Sequence, residues 1–469
     1  MSIDTGSITI PIDTKTLEGY NKFIECKRLP RYKVERNNII TDIKSFNYVF
    51  GGVDDRVVSH IPHKIEFDYQ SHVVSRALER ERYAAFLDCG LGKTIIELTY
   101  AHDVIRAIGG SGKGIIWCPL SVLEDIQREC QRLYGYRMSN LRHEEWKTDI
   151  AILNWESRKP IDMANVMVAV LDESGILKSG DGETCQYLTE SSINVKFRLA
   201  CSATPSPNDQ TEYASHAVWL GISNTLKEFY SKFFVKDGTE WRMKEHAKDA
   251  FYDFLRSWCC YIQSPTAIGF EQGAELLDEP NYIIQETYPQ GYFKEGTFLA
   301  SDVDLQYCRK IFGALRMDKL QDRFKKAISS IADRQAIIWC SRNGEEENFA
   351  KELKAAQING STPLEKRIEI VDAFKKGEIR HIVSKPSVLG FGVNIQEAEA
   401  HLYSGYTFSF EQFYQAVRRS HRYGRKGTLD VIVPVSEPER PVWDILKRKL
   451  LTFKQDVAEL QKRFFNDKS

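Results

Sequence analysis

The 469-residue chain contains no Cys-x-x-Cys pair, which excludes the spacing of zinc fingers and zinc ribbons. Its ten cysteines fall at 26, 89, 118, 130, 185, 201, 259, 260, 308 and 340. Several sit inside apolar runs such as GIIWC and AIIWC, so buried thiols in a reducing compartment are expected. Adjacent Cys259 and Cys260 read as core thiols. No cysteine or carboxylate set completes a metal site around His60, His63 and His72. No apolar run approaches the ~20 residues that span a bilayer. The start, MSIDTGSITIPIDTK, lacks the basic and apolar stretches of a signal peptide. A soluble, cytoplasmic protein with no membrane partner is the expectation. Excess charge of one sign is missing too: 64 basic residues face 65 acidic ones, for a net charge of −1. There is no global pull towards polyanions, so any nucleic-acid binding must come from local basic clusters. Low-complexity tracts and short internal repeats are also absent.

What is present is core-forming material, with 42% hydrophobic and 12% aromatic residues. The length exceeds what one hydrophobic core fills, so two or three domains are expected. Apolar runs alternate with amphipathic helical stretches twice over. The first series is YAAFLD (83–88), GIIWC (114–118), DIAIL (149–153), VMVAVLD (166–172) and FRLAC (197–201). The second is AIIWC (336–340), RHIVS (380–384), AHLYS (400–404) and LDVIVP (429–434). Runs without polar alternation suit strands buried on both faces, as in parallel sheets. The organisation predicted is an N-terminal element (1–59), an α/β lobe (60–205), a helical, aromatic-rich insertion and linker (206–285), a second α/β lobe (286–440) and a C-terminal helix (441–469).

The segment FLDCGLGKT (86–94) follows a strand and precedes a helix, the context of a phosphate-binding loop. Gly90 and Gly92 let backbone N–H groups turn inward. Lys93 would hold the β- and γ-phosphates of ATP, and Thr94 would offer its hydroxyl to Mg2+. Leu87 stands where the full pattern has glycine. VMVAVLDES places Asp172 and Glu173 at the end of a buried strand, where α/β sheets bind ligands. Asp172 would hold Mg2+, and Glu173 would orient the attacking water. CSATPSPND (201–209) puts Ser202 and Thr204 after another strand, able to sense the γ-phosphate. Gln70, at the start of a helix, carries an amide that can read the adenine edge. In FEQFYQAVRRSHRYGRKG (410–427), Gln415, Arg419 and Arg422 share one face of a helix, and the guanidinium groups suit phosphate. Singly, each feature has a plainer alternative. These are an ordinary turn, an acidic helix cap, a strand exit, a solvent-facing glutamine and a basic surface helix.

Their order and spacing resemble the motif series of superfamily-two helicases over about residues 20–440. The series runs Gln70, GLGKT, CPLSVLEDI (118–126), ILNWES (152–157), LDES, CSATP, WCSRN (339–343), INGSTPLEKR (358–367), GFGVNIQ with Gly390 and Gly392, and QAVRRSHRYGR. Within these helicases, related to the DEAD- and DEAH-box proteins, the Swi/Snf-like branch is nearest, in the compact form of phages and prophages. The ending Arg419-Ser-His421-Arg422-Tyr-Gly424 and the stretch 206–258 carry that likeness. The resemblance implies two tandem RecA-like lobes, ATP and Mg2+ as cofactors, and hydrolysis carried by Lys93, Thr94, Asp172, Glu173, Arg419 and Arg422. Ser202 and Thr204 would couple it to movement. It also implies nucleic-acid contacts at Ser121, Asn154, Ser341 and Asn394. Two departures stand out: Ser174-Gly175 follows the acidic pair, and Arg425 replaces the usual glutamine.

Three functions remain open on the sequence. The first is a DNA-stimulated ATPase translocating on duplex DNA, in the cytoplasm (the host's, if viral), with DNA a likelier partner than RNA and replication or modification proteins as possible further partners. The second is a nucleotide-gated clamp with little turnover, and the third an RNA helicase. The basic, aromatic insertion either stacks bases or forms its own core; the latter is the expected reading.

Overall fold

All five apolar runs of the first series become strands: Arg82–Leu87, Lys113–Cys118, Ile150–Asn154, Val166–Leu171 and Phe197–Ser202. The computed structural model describes residues 7–27, 32–42, 58–109, 112–238, 240–271, 279–287, 321–341, 343–389, 394–404, 409–422, 425–436 and 440–465. Cys259–Ile262 and the two-residue Ser139–Asn140 complete a seven-stranded sheet. Its order is 259–262, 82–87, 197–202, 166–171, 113–118, 150–154, 139–140. From 197–202 to 139–140 every neighbouring pair is parallel. Ile115, Ile116, Trp117 and Cys118 are all buried, so this strand is covered on both faces and needs no polar alternation.

The second sheet has six strands, ordered Asn281–Thr287, Asp430–Ser436, Ala400–Tyr403, Ala336–Trp339, His381–Ser384, Ala356–Ile358. Every pair is parallel. Its core gathers Ile338, Val383, Leu402 and Ile432 against Ala327, Ile331 and Phe349. Two parallel sheets flanked by helices are the expected α/β architecture. Both strands absent from the second sequence series lie at the edges of this sheet. NYIIQET carries polar residues at its ends, and AQI is only three residues long.

The chain divides into two compact units. One comprises Met1–Ala85, Thr94–Cys201 and Tyr213–Cys259; the other comprises Phe86–Lys93, Ser202–Glu212 and Cys260–Ser469. In the first unit a three-stranded antiparallel sheet (Ser7–Pro11, Asn38–Asp42, Tyr32–Glu35) packs with the helix Leu17–Cys26. The insertion is not wholly helical, as its periodicity suggested. Helices Tyr213–Leu220, Leu226–Phe233 and Lys248–Trp258 flank an antiparallel hairpin, Phe234–Asp237 with Glu240–Met243. Gly238, at φ 60°, makes the turn, which four residues per strand are too few to announce as an alternating pattern. Most of its aromatics form its own core: Trp219, Phe229, Phe251, Tyr252 and Trp258 are buried.

In the second unit the C-terminal helix runs Arg440–Phe465. Its Phe453 packs against Tyr261, Phe410 and Tyr414. Lys449 donates to Asn208 at 2.7 Å and Asp456 accepts from Gln210 at 2.5 Å, so the helix braces the segment 202–212. Among the described residues no helix is long and apolar enough to cross a membrane.

Candidate active site

The strand Arg82–Leu87 turns through residues 88–92 into the helix Lys93–Ala107. Gly90 (φ 89°) and Gly92 (φ 72°) both take the left-handed conformation that side chains resist. Leu87 is still strand and fully buried, so the absent glycine at 87 costs the turn nothing. Asp88 laces the loop together. Its N–H donates to the Ile262 carbonyl at 2.9 Å, and its Oδ1 accepts the Cys89 N–H at 2.7 Å. Lys93 Nζ donates to the Leu87 carbonyl at 3.2 Å. Thr94, half-buried, follows on the helix.

The arginine segment departs from expectation. The helix is Phe410–Val417, capped by Arg418. Beyond it the chain makes tight turns, with Arg419 N bonded to Ala416 O, Ser420 N to Val417 O and Arg422 N to Ser420 O. Gln415, Arg419 and Arg422 therefore do not share one regular helical face. The cause lies in what is buried. Ser420 is fully enclosed and its Oγ bonds His401 Nε2 at 2.8 Å, while Arg418 is drawn inward.

Arg418 Nη2 meets Asp88 Oδ2 at 2.7 Å, with side chains 9% and 4% exposed. Its guanidinium lies over the Tyr414 ring at 4.9 Å and donates to the Tyr414 hydroxyl at 2.8 Å; it also contacts His421 Nδ1. Burial opposes the charge, but the Asp88 carboxylate and Tyr414 outweigh it and raise the Arg418 pKa. Within the second unit, this pair joins the glycine loop 88–92 to the arginine segment. The sequence reading missed it. The available signal was the i, i+4 spacing of Tyr414 and Arg418 together with an acid in the loop.

Several polar atoms here are buried without a partner. Gln415 is 1% exposed, and neither its amide oxygen nor its nitrogen is hydrogen-bonded; Arg419 Nε and Thr204 Oγ1 are in the same condition. Leaving such groups unsatisfied costs ~1–3 kcal/mol each. Burial and the neighbouring Arg419 lower the Arg422 pKa, so an anion would relieve both guanidinium groups. Ser202 Oγ accepts the Thr204 N–H at 3.1 Å, and both residues are fully buried. The donor set fits a polyanion.

The acidic loop belongs to the first unit. Asp172 N–H donates to the Trp117 carbonyl at 2.8 Å, and Asp172 Oδ1 accepts the Glu173 N–H at 2.9 Å. Glu173 sits at φ 49°, ψ 52°, a left-handed conformation worth ~1–3 kcal/mol of strain.

Other candidates are placed differently. Gln70 is 1% exposed and its Oε1 accepts the Phe67 N–H at 2.9 Å, making it a helix cap as well as a candidate for adenine. Ser121 is exposed. Asn154 is buried and its Nδ2 donates to Glu156 at 3.0 Å; the same Glu156 accepts the Leu120 N–H at 3.2 Å. In this conformation Asn154 serves the turn rather than a surface. Ser341 N–H donates to the buried Glu345 at 3.0 Å. Asn394 is exposed beside Ile395, whose N–H donates to the Arg419 carbonyl at 3.0 Å. Arg425 is structural: it donates to the carbonyls of Gln396, Ala398, Gly427 and Thr428. Gly390, Gly392 and Gly424 lie outside the described residues.

The helicase conserved C-terminal domain family matches residues 319–424. A DNA repair and recombination protein RAD54-like from Danio rerio is 35% identical over 92 residues, 18% of this chain and 12% of that protein. Its Mus musculus counterpart is 26% identical over 176 residues, 31% of this chain and 23% of that protein. The chain thus spans less than a quarter of the length of either relative. The solved Sulfolobus solfataricus SWI2/SNF2 ATPase core in complex with dsDNA covers 86% of this chain and 96% of its own, at 17% identity and a TM-score of 0.42. At that score the fold rests on the two parallel sheets themselves.

Proposed function

We propose that this chain, a superfamily-two helicase of the Swi/Snf-like branch, is a DNA-stimulated ATPase that translocates on duplex DNA. The observation that carries the reading is the buried, unbonded amide of Gln415 and Nε of Arg419, on the same segment as Arg418 and its pairing with Asp88 of the glycine loop. Enclosed donors of this kind await an anion, and a triphosphate is the anion that a glycine-bent loop ending in Lys93-Thr94 is built to take.

In this reading Lys93 binds the β- and γ-phosphates, and Thr94 and Asp172 would hold Mg2+, which would draw charge from the phosphate oxygens. Glu173 orients the attacking water and takes its proton as the bond to the γ-phosphorus forms and the β–γ bridge breaks. Arg419 and Arg422 neutralise the charge that develops there. Gln415 fills its hydrogen bonds on the nucleotide, and Gln70 reads adenine. Ser202 and Thr204 pass loss of the γ-phosphate to the segment braced by the C-terminal helix. Ser121, Ser341 and Asn394 grip phosphates of the nucleic acid, a sequence-independent and salt-sensitive hold, while buried Asn154 shapes the turn beside Ser121 through Glu156. We place the chain with the compact phage and prophage forms, working in the cytoplasm (the host's, if viral) beside replication or modification proteins.

The test is ATP turnover without nucleic acid, then with duplex DNA, single-stranded DNA and RNA. Duplex DNA is expected to stimulate most. Strongest stimulation by RNA would replace this reading with an RNA helicase. One burst of hydrolysis followed by silence would replace it with a nucleotide-gated clamp.

A further inference from the structure

The acidic loop has an anchor outside the hydrolysis motifs. Ser174, which follows Glu173, is fully buried, and its Oγ lies 3.1 Å from His216 Nε2. His216 is also fully buried and sits on the helix Tyr213–Leu220, at the head of the aromatic insertion. Ala217 and Trp219 on that helix, and Leu177 on the turn Ser174–Lys178, are enclosed as well. A hydrogen bond in such surroundings is stronger and more directional than one in water. All these residues belong to the first unit.

Glu173 needs such an anchor. A non-glycine residue in the left-handed region persists only where its surroundings over-determine it. On one side the Asp172 N–H is fixed to the Trp117 carbonyl and Asp172 Oδ1 to the Glu173 N–H. On the other side the Ser174–His216 bond fixes the turn. Glu173 is therefore held between two fixed points, one supplied by the sheet and one by the insertion.

We propose that His216 is a positioning residue: acting through Ser174, it sets the orientation of Glu173 and ties hydrolysis to the insertion 206–258. This rests on the ATPase reading above. It gives the insertion a part in the chemistry beyond packing, and gives the serine of the acidic motif a defined partner. A shift of the insertion helix would reach the carboxylate through the Ser174–His216 hydrogen bond. Because small misplacements of a reacting group can cost up to ~100-fold in rate, this single link is enough to matter.

The experiment compares the full-length chain with Ser174→Ala, His216→Ala, His216→Gln and the Ser174→Ala/His216→Ala double variant. Steady-state ATP turnover, binding of a fluorescent ATP analogue, and amide hydrogen exchange over residues 172–178 are measured on each. Expected for both alanine variants are a kcat loss of roughly tenfold to a hundredfold, analogue affinity within about twofold, and faster exchange at 172–178. His216→Gln, which keeps a hydrogen-bonding side chain, recovers most of kcat. The double variant loses no more than the worse single one, because both break the same bond. Losses that add in the double variant, or unchanged kcat and exchange in the singles, overturn the proposal while leaving the ATPase reading intact. A natural chain without turnover overturns both. If His216→Ala fails to fold, His216→Gln and Ser174→Ala decide by the same measures.

Discussion

Arg418 and Asp88 form a buried ion pair 2.7 Å long, and the Asp88 side of it also holds the Cys89 N–H of the glycine loop 88–92. The loop is thus shaped by a residue 330 positions away as well as by its own glycines. Removing one partner of a buried pair leaves the other charge stranded, at ~3–5 kcal/mol. Arg418→Ala is predicted to weaken ATP-analogue binding at least tenfold and to lower the unfolding temperature. Making both partners neutral, Asp88→Asn with Arg418→Met, is predicted to be less damaging than either charged single loss. Calorimetry and analogue titration on Asp88→Asn, Arg418→Met and the double variant check this; strictly additive losses would refute the coupling.

Arg425 serves four backbone carbonyls. Glutamine has two donors where the guanidinium has five. Arg425→Gln should leave some of these carbonyls unmet, at ~1–3 kcal/mol for each that stays buried. The expected result is a lower unfolding temperature with KM for ATP unchanged. A changed KM with unchanged stability would move Arg425 into the nucleotide site.

His60 is held between two carboxylates, with Nδ1 2.7 Å from Asp103 and Nε2 3.0 Å from Glu66. Arg106 also pairs with Asp103 at 2.7 Å, and Thr99 and Ser71 donate to Glu66. Burial alone would lower the His60 pKa, but the two acids raise it from 6.5 to about 9. The stabilisation this gives is complete below pH 6.5 and is lost as pH rises to about 9. The Glu66 pKa is lowered from 4.5: burial opposes this, but bonds from His60, Thr99 and Ser71 prevail. Its contribution is present above pH 4.5 and is lost in acid. Unfolding measured between pH 6 and 10 should show stability falling across this window in the natural chain. His60→Gln should flatten that slope; an unchanged slope would show that the imidazole is neutral there.

The two sheets were legible because a strand buried on both faces must be apolar throughout, as GIIWC and VMVAVL are. Edge strands such as Asn281–Thr287 need not be, and they escaped. The glycine loop, the acidic pair and the arginines stood out as candidates by residue type at fixed spacing. The shape of the arginine segment did not. Helical spacing predicted one face for Gln415, Arg419 and Arg422, but the helix ends at Val417. What ends it is tertiary, the burial of Ser420 on His401 and of Arg418 on Asp88. The Ser174–His216 bond was hidden for the same reason. Its partners lie 42 positions apart on different elements, and no local pattern links them.

The most direct test follows phosphate release by the natural chain and Glu173→Gln with saturating duplex DNA. A general base is worth ~100- to 10,000-fold in rate. Sustained turnover is expected of the natural chain, and a loss of at least ~100-fold in Glu173→Gln, with ATP still bound. Turnover by Glu173→Gln close to that of the natural chain would contradict it.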